Sequence, residues 1–212
     1  MANTITLSRI PLLVGVVLLL YLGSPWAQVL SATVVLVLIF MDSIDGMVAR
    51  HRHEVGMLGS KLDIAVDRIV ELVMWVVYAN LNLISVAIPI IVIIRGTMVD
   101  AVRSFSVVWG KTSFDMMQTR WGRRLVASAF MRSLYGMSKA VAFCTLALAL
   151  GLRRMWAGTP KADWAEALWV FAVVVSWITT AICIIRGAPV LIEARTLLKD
   201  LDAKVTQQAA KR

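Results

Sequence analysis

The chain has 212 residues, 59% of them hydrophobic and 17% charged, and a formal net charge of +9. A soluble domain is about half apolar and about a quarter charged, so this balance and a mean hydropathy of +0.79 exclude an ordinary soluble globular protein. In a protein built of long apolar runs, a basic excess marks cytoplasmic loops and contact with anionic lipid, so it does not imply a nucleic-acid partner.

The fold class predicted from these runs is all-α, an integral membrane protein with six transmembrane helices. No secretory cleavage pattern opens the chain, so the first run is expected to stay in the mature protein. That run covers about Ile5 to Leu22 and stops at the turn signal Gly23-Ser24-Pro25. A second covers about Trp26 to Met41 and passes into a polar stretch. The third runs from about Leu62 to Tyr78 and ends at Asn80-Leu81-Asn82. The fourth runs from about Leu83 to Val102, with Pro89 inside it as an expected kink. Lys111 to Arg132 mixes Phe114, Trp121, Leu125 and Phe130 with basic residues and reads as a short interfacial helix. The fifth and sixth spans run from about Leu134 to Leu150 and Ala165 to Ile185. Residues 1–190 form the transmembrane domain in this reading, and 191–212 a polar cytoplasmic tail. Cys144 and Cys183 fall in apolar runs and read as small buried hydrophobes, not as a disulfide or zinc site.

Loop charge sets the expected orientation. The turns at Gly23 and Asn80 carry no Lys or Arg, and the third loop on that side holds Arg153, Arg154 and Lys161. The opposite side carries most of the basic residues, from Arg9 through Arg50, Arg103 and Arg132 to Arg195. Both termini therefore belong on the basic, cytoplasmic side of the cell membrane.

The chemistry concentrates in Met41 to Arg68, MDSIDGMVARHRHEVGMLGSKLDIAVDR. A charge at membrane depth costs about 2.5–3.5 kcal/mol and usually marks function. Asp42 and Asp45, three apart, share a face of the second helix; Asp63 and Asp67, four apart, share a face of the third. Consecutive helices joined by a short loop are antiparallel neighbours, so the pairs can converge. Four converging carboxylates repel unless cations lie among them. All-oxygen ligation suits Mg²⁺ or Mn²⁺ (Ca²⁺ also fits) better than zinc, and a metal pair clamped by carboxylates suits phosphoryl chemistry. Gly46 and Gly59 leave room for a ligand, and Arg50 is placed to meet a phosphate. Taken singly, each acid also reads as a solvated helix-end charge balanced by Arg50, Arg52, Lys61 or Arg68.

The set Asp42-x-x-Asp45-Gly46-x-x-Ala49-Arg50, then eight residues, then Gly59-x-x-x-Asp63-x-x-x-Asp67 resembles the signature of the CDP-alcohol phosphatidyltransferase family at every fixed position. The resemblance implies a homodimer with its active site open to the cytoplasmic leaflet, transferring a phosphatidyl group from CDP-diacylglycerol to a small alcohol and releasing CMP. It implies two Mg²⁺ or Mn²⁺ ions held by Asp42, Asp45, Asp63 and Asp67, with Asp67 also the catalytic base. It places Gly46, Ala49, Arg50 and Gly59 along the pocket for the CDP-lipid.

Asn3-x-x-Thr6-x-x-Arg9 precedes the first span and resembles the glycerol-phosphate branch of that family, the phosphatidylglycerophosphate synthases. Spaced three apart, these residues share a helical face, with Asn3 and Thr6 toward the CDP-lipid and Arg9 toward the acceptor phosphate. They equally suit a plain helix entry with Asn3 or Thr4 as cap and Arg9 snorkelling. Arg95 and Arg103 near the end of the fourth span and Lys139 in the fifth supply further cations for an acceptor phosphate. The branch pattern departs at Gly96, where glutamate is usual, and at Met137, where a lysine is usual. Glycerol 3-phosphate is therefore the expected acceptor, with inositol phosphate or another small alcohol as the alternative. A transporter with an acidic cation site would need acids deep in several spans or broken helices, whereas the middles of these spans read as nearly uncharged.

The loop charges carry a direct test. In a Cys144→Ser, Cys183→Ser background, single cysteines at Ala2 and Ala209 are expected to label from the cytoplasmic side, and one at Ser24 from the opposite side. Opposite accessibility for the two termini would contradict an even number of crossings.

Overall fold

The computed structural model describes residues 2–51, 57–108 and 128–209, with side chains described for 6–41, 62–102, 128 and 130–192. Six helices are formed by the described residues: α1 (Ala2–Tyr21), α2 (Pro25–His51), α3 (Met57–Asn80), α4 (Ala87–Val108), α5 (Ala129–Met155) and α6 (Ala162–Ala209). No strand is found among them. Two helices, over Phe130–Met155 and Ala162–Ile192, are long and apolar enough to cross a membrane, and Thr6–Tyr21 and Pro25–Met41 are shorter apolar stretches. That is compatible with a membrane protein, as are the large apolar side chains left exposed along the helices, among them Leu18, Phe40, Ile64, Ile94 and Phe171. The interfacial helix expected over Lys111 to Arg132 lies mostly outside the described residues, and Ala129 to Arg132 belong to α5.

The turn signals act where expected. Gly23 takes a left-handed φ of 72°, and Pro25 opens α2, where a missing N–H costs nothing. Asn82 closes the α3–α4 turn at a φ of 57°, a conformation asparagine tolerates better than most residues. Pro89 is a correction: it sits in the first turn of α4, where the backbone N–H has no helical partner anyway, so it does not kink a span. The prolines inside helices are Pro11 in α1 and Pro189 in α6. Two helices also outrun their apolar segments, α2 continuing to His51 and α6 to Ala209. Helical hydrogen bonding is indifferent to whether the face is apolar, so polarity alone did not mark the ends.

The chain divides into two compact units, Met1–Pro89 with Ser138–Ile178, and Ile90–Met137 with Thr179–Arg212. In the first unit α1 packs on α2 and α3, burying Val16, Leu20, Val35, Leu38 and Val70. The Trp75 ring meets the Phe143 ring edge-on at 4.8 Å, and the Tyr78 hydroxyl donates to the Phe143 carbonyl at 2.7 Å, which ties α3 to α5. Buried Gln28 donates from Nε2 to the Leu20 carbonyl at 3.0 Å, satisfying one of the orphan acceptors at the end of α1. In the second unit Val99 of α4 packs on Val190 of α6, flanked by Val102 and Leu191.

Three contacts bring the odd-numbered turns of the first unit to one end. Tyr21 donates its hydroxyl to Asn80, Arg154 reaches the Gly23 carbonyl at 3.4 Å, and Trp169 Nε1 donates to the Leu83 carbonyl at 3.0 Å. Arg153 is absorbed at this end by Glu166 at 3.0 Å and by the face of Trp169 at 4.6 Å. Counted back from these turns at 1.5 Å per residue, Arg9, Asp67 and Lys139 all lie about 18–24 Å away, at matched levels of α1, α3 and α5.

Gly151 carries the closest helix approach in this unit. A Cβ there would come within 2.6 Å of Val29 Cγ2 and 2.7 Å of the Val29 backbone nitrogen. Gly151→Ala is expected to cost about 1–3 kcal/mol, read as a lowered thermal midpoint in detergent. Gly15→Ala, where a Cβ meets nothing within 4 Å, is the control and is expected to leave the midpoint unchanged or raised.

Candidate active site

The site is built on one face of α3. Asp63 and Asp67 are one helical turn apart, and both side chains keep 44% of their surface exposed. The cations that face them are less exposed than they are. Arg9 of α1, with a side chain only 2% exposed, places Nη1 3.7 Å from Asp63 Oδ1 and Nη2 3.8 Å from Asp67 Oδ1. Lys139 of α5, 15% exposed, places Nζ 3.5 Å from the same Asp67 oxygen. Three helices thus converge on Asp67, which sits between a fixed guanidinium and a flexible ammonium.

Arg9 does not snorkel. A residue reaching for water would be exposed at its tip, whereas this guanidinium is sealed between α1 and α3 and spans two carboxylates. Thr6, one turn before Arg9, is also buried, at 4% exposed.

A third acid joins the face. Glu71, one turn beyond Asp67, is only 2% exposed. Its Oε2 accepts from Arg68 Nη1 at 3.1 Å and lies 3.8 Å from Lys139 Nζ. The expectation that the middles of the spans are nearly uncharged therefore fails at α3. The signal was present as acids at 63, 67 and 71, an i, i+4, i+8 stripe, but the apolar run around Glu71 masked it in a window average. Arg68, read from sequence as balancing the signature acids, is turned to Glu71 instead.

The other expected residues distribute as follows. Asp42, Asp45, Gly46, Ala49 and Arg50 lie on α2, Asn3 on α1 and Arg103 on α4, and their side chains fall outside the described set. Gly59 lies in the first turn of α3, one turn before Asp63. Arg95 belongs to the second unit, where its side chain lies across Gly187 of α6. A Cβ at Gly187 would fall 2.5 Å from Arg95 Nε and 2.8 Å from its Cγ, so the glycine makes the room that the arginine occupies. Arg95 Nε is buried without a hydrogen-bond partner among the described residues. In the same unit the Arg186 guanidinium stacks 5.3 Å from the centre of the Tyr135 ring.

Among the described residues no group of three or more His, Cys, Asp and Glu is arranged to hold a metal ion. Asp63 and Asp67 nevertheless present the right donor chemistry: hard carboxylate oxygens on half-exposed side chains one turn apart, with Asp63 Oδ1 itself buried. They fit a divalent cation completed by donors from elsewhere.

Comparison with curated proteins gives no match. The family model described as CDP-alcohol phosphatidyltransferase matches residues 1–185, which takes in α1 to α5 and most of the apolar part of α6. That family transfers a phosphatidyl group from a CDP-alcohol to an alcohol acceptor, serves phospholipid biosynthesis and generally depends on divalent metal. With that match over most of its length, and with Asp63 and Asp67 of its signature together on one face of α3, the chain belongs to the CDP-alcohol phosphatidyltransferase family and is a phosphotransferase for substituted phosphate groups.

Proposed function

We propose that this enzyme is a multi-pass protein of the cytoplasmic membrane, acting as a homodimer, that transfers the phosphatidyl group of CDP-diacylglycerol to glycerol 3-phosphate. The observation that carries the choice of an anionic acceptor is the pair of cations, buried Arg9 and partly buried Lys139, facing Asp67 from two different helices. A neutral alcohol offers them no charge in exchange for their carboxylate partners, whereas a phosphate matches a guanidinium and an ammonium together. The same pair suits inositol phosphate. The Asn3, Thr6 and Arg9 spacing favours glycerol 3-phosphate.

Asp42, Asp45, Asp63 and Asp67 would hold two Mg²⁺ or Mn²⁺ ions, which when bound supply charge neutralisation to the diphosphate. Gly46, Ala49, Arg50 and Gly59, with Asn3 and Thr6, would seat the CDP-lipid. Arg9 and Lys139 would hold the acceptor phosphate. Asp67 would take the proton of the acceptor hydroxyl. The bond that forms joins that oxygen to the phosphatidyl phosphorus. The bond that breaks joins the same phosphorus to the oxygen it shares with the cytidylate, and CMP departs with that oxygen.

Two measurements test this assignment. EDTA is expected to abolish CMP release and Mg²⁺ or Mn²⁺ to restore it, and full activity in a rigorously metal-free preparation would end the metal reading. The second separates holding metal from moving a proton. Asp63→Asn is expected to weaken Mn²⁺ binding. Asp67→Asn should keep CDP-diacylglycerol binding near normal in the presence of metal and lower turnover by about 10²–10⁴-fold, the usual worth of a positioned base. If both variants lose lipid-nucleotide binding equally, Asp67 is a ligand and not the base.

A further inference from the structure

Glu71 has no part in the family signature, yet it is the most deeply buried acid of the cluster. It stands behind Lys139 as seen from Asp67. The Lys139 ammonium is 3.5 Å from Asp67 Oδ1 and 3.8 Å from Glu71 Oε2, so one cation is shared between an exposed carboxylate and a buried one. A full charge-assisted bond between an ammonium and a carboxylate closes to about 2.7–2.9 Å. Neither contact reaches that length.

The division of the lysine has a physical cause. Lysine carries a compact charge on a stem with four rotatable bonds, and it goes where the local field is strongest. Beside Asp67 alone, whose surface is 44% exposed, Nζ would close onto the nearest oxygen and occupy its lone pairs. Glu71 is sealed from solvent, so its pull on Nζ is poorly screened even at the longer distance. Arg68, at 3.1 Å on the same Glu71 oxygen, fixes that carboxylate in direction.

We infer that Glu71 is a positioning residue: it holds Lys139 back from Asp67, leaving the Asp67 carboxylate able to take a divalent cation. This rests on the metal reading of Asp67 given above. Without the Glu71 charge, Lys139 collapses onto Asp67 and competes with the cation for the same oxygen.

Mn²⁺ binding to the purified full-length protein, followed by the electron paramagnetic resonance of free Mn²⁺, tests this without turnover. Glu71→Gln keeps the shape and removes the charge. It is expected to weaken Mn²⁺ binding by about 10–100-fold, the usual effect of losing a partner behind a ligand. In a Lys139→Ala background the same substitution is expected to change Mn²⁺ binding by less than about twofold, because the residue through which Glu71 acts is gone. A structural defect, including one from the loss of the Arg68 contact, would appear in both backgrounds. Should Glu71→Gln fold poorly, Glu71→Asp keeps the charge but withdraws it by one methylene. Its weakening of Mn²⁺ binding should be smaller and should likewise vanish with Lys139→Ala. A Glu71 effect that survives the loss of Lys139, or no effect with Lys139 present, overturns the inference alone. A wild-type protein that binds no Mn²⁺ overturns the metal reading and this inference with it.

Discussion

Burying charge in an apolar helical protein is tolerated only where each charge has a partner at hand, and α3 carries three acids along one face. Asp63, Asp67 and Glu71 repeat at a helical turn, and Arg68 of the same helix is turned to Glu71. Further compensation arrives from other helices, where Arg9 of α1 and Lys139 of α5 supply it. That requirement fixes the relative level of the helices. Arg9, Asp67 and Lys139 meet because the turns at Gly23, Asn80 and Met155 are tied together at the far end.

The cluster is asymmetric in a way that suits catalysis. Its guanidinium is buried, its ammonium partly so, and its two signature acids are half open. The buried Arg9 guanidinium is fixed in place and weakly hydrated, so it need not be stripped of water when an anionic substrate arrives. Open carboxylates can exchange their neighbours for a metal ion. The aromatic lock of Trp75 and Tyr78 on Phe143 joins α3 to α5 one to two turns beyond Glu71. It holds the Lys139-bearing helix against the acid-bearing one while the open face changes partners.

Much of this was legible in the residues. Gly23-Ser24-Pro25 and Asn80-Leu81-Asn82 mark turns by backbone chemistry that no tertiary contact needs to override. The i, i+4 spacing of Asp63 and Asp67 places them on one face in any helix. What was not legible depended on contacts between helices. Arg9 reads equally as a snorkelling residue or an acceptor ligand until α3 is laid against α1. Glu71 disappears into the apolar average around it, although its register with Asp67 was visible. The continuation of α2 through Asp42 and Asp45 was legible from their shared helical face, whereas its reach to His51 and that of α6 to Ala209 were not, because helical hydrogen bonds do not require an apolar face and polarity marks neither end. Pro89 misled for the opposite reason: its cost depends on position within a helix, and the start of α4 lies later than the apolar run suggests.

The central claim is that the two cations around Asp67, Arg9 and Lys139, select a phosphorylated alcohol. The most direct measurement is CMP release from CDP-diacylglycerol by the purified enzyme with Mg²⁺ or Mn²⁺, comparing glycerol 3-phosphate, inositol phosphate, glycerol, inositol and serine as acceptors. The account predicts release with a phosphorylated acceptor, glycerol 3-phosphate foremost, and little with the uncharged alcohols or serine. Equal release with glycerol and glycerol 3-phosphate, or release with serine alone, would contradict it.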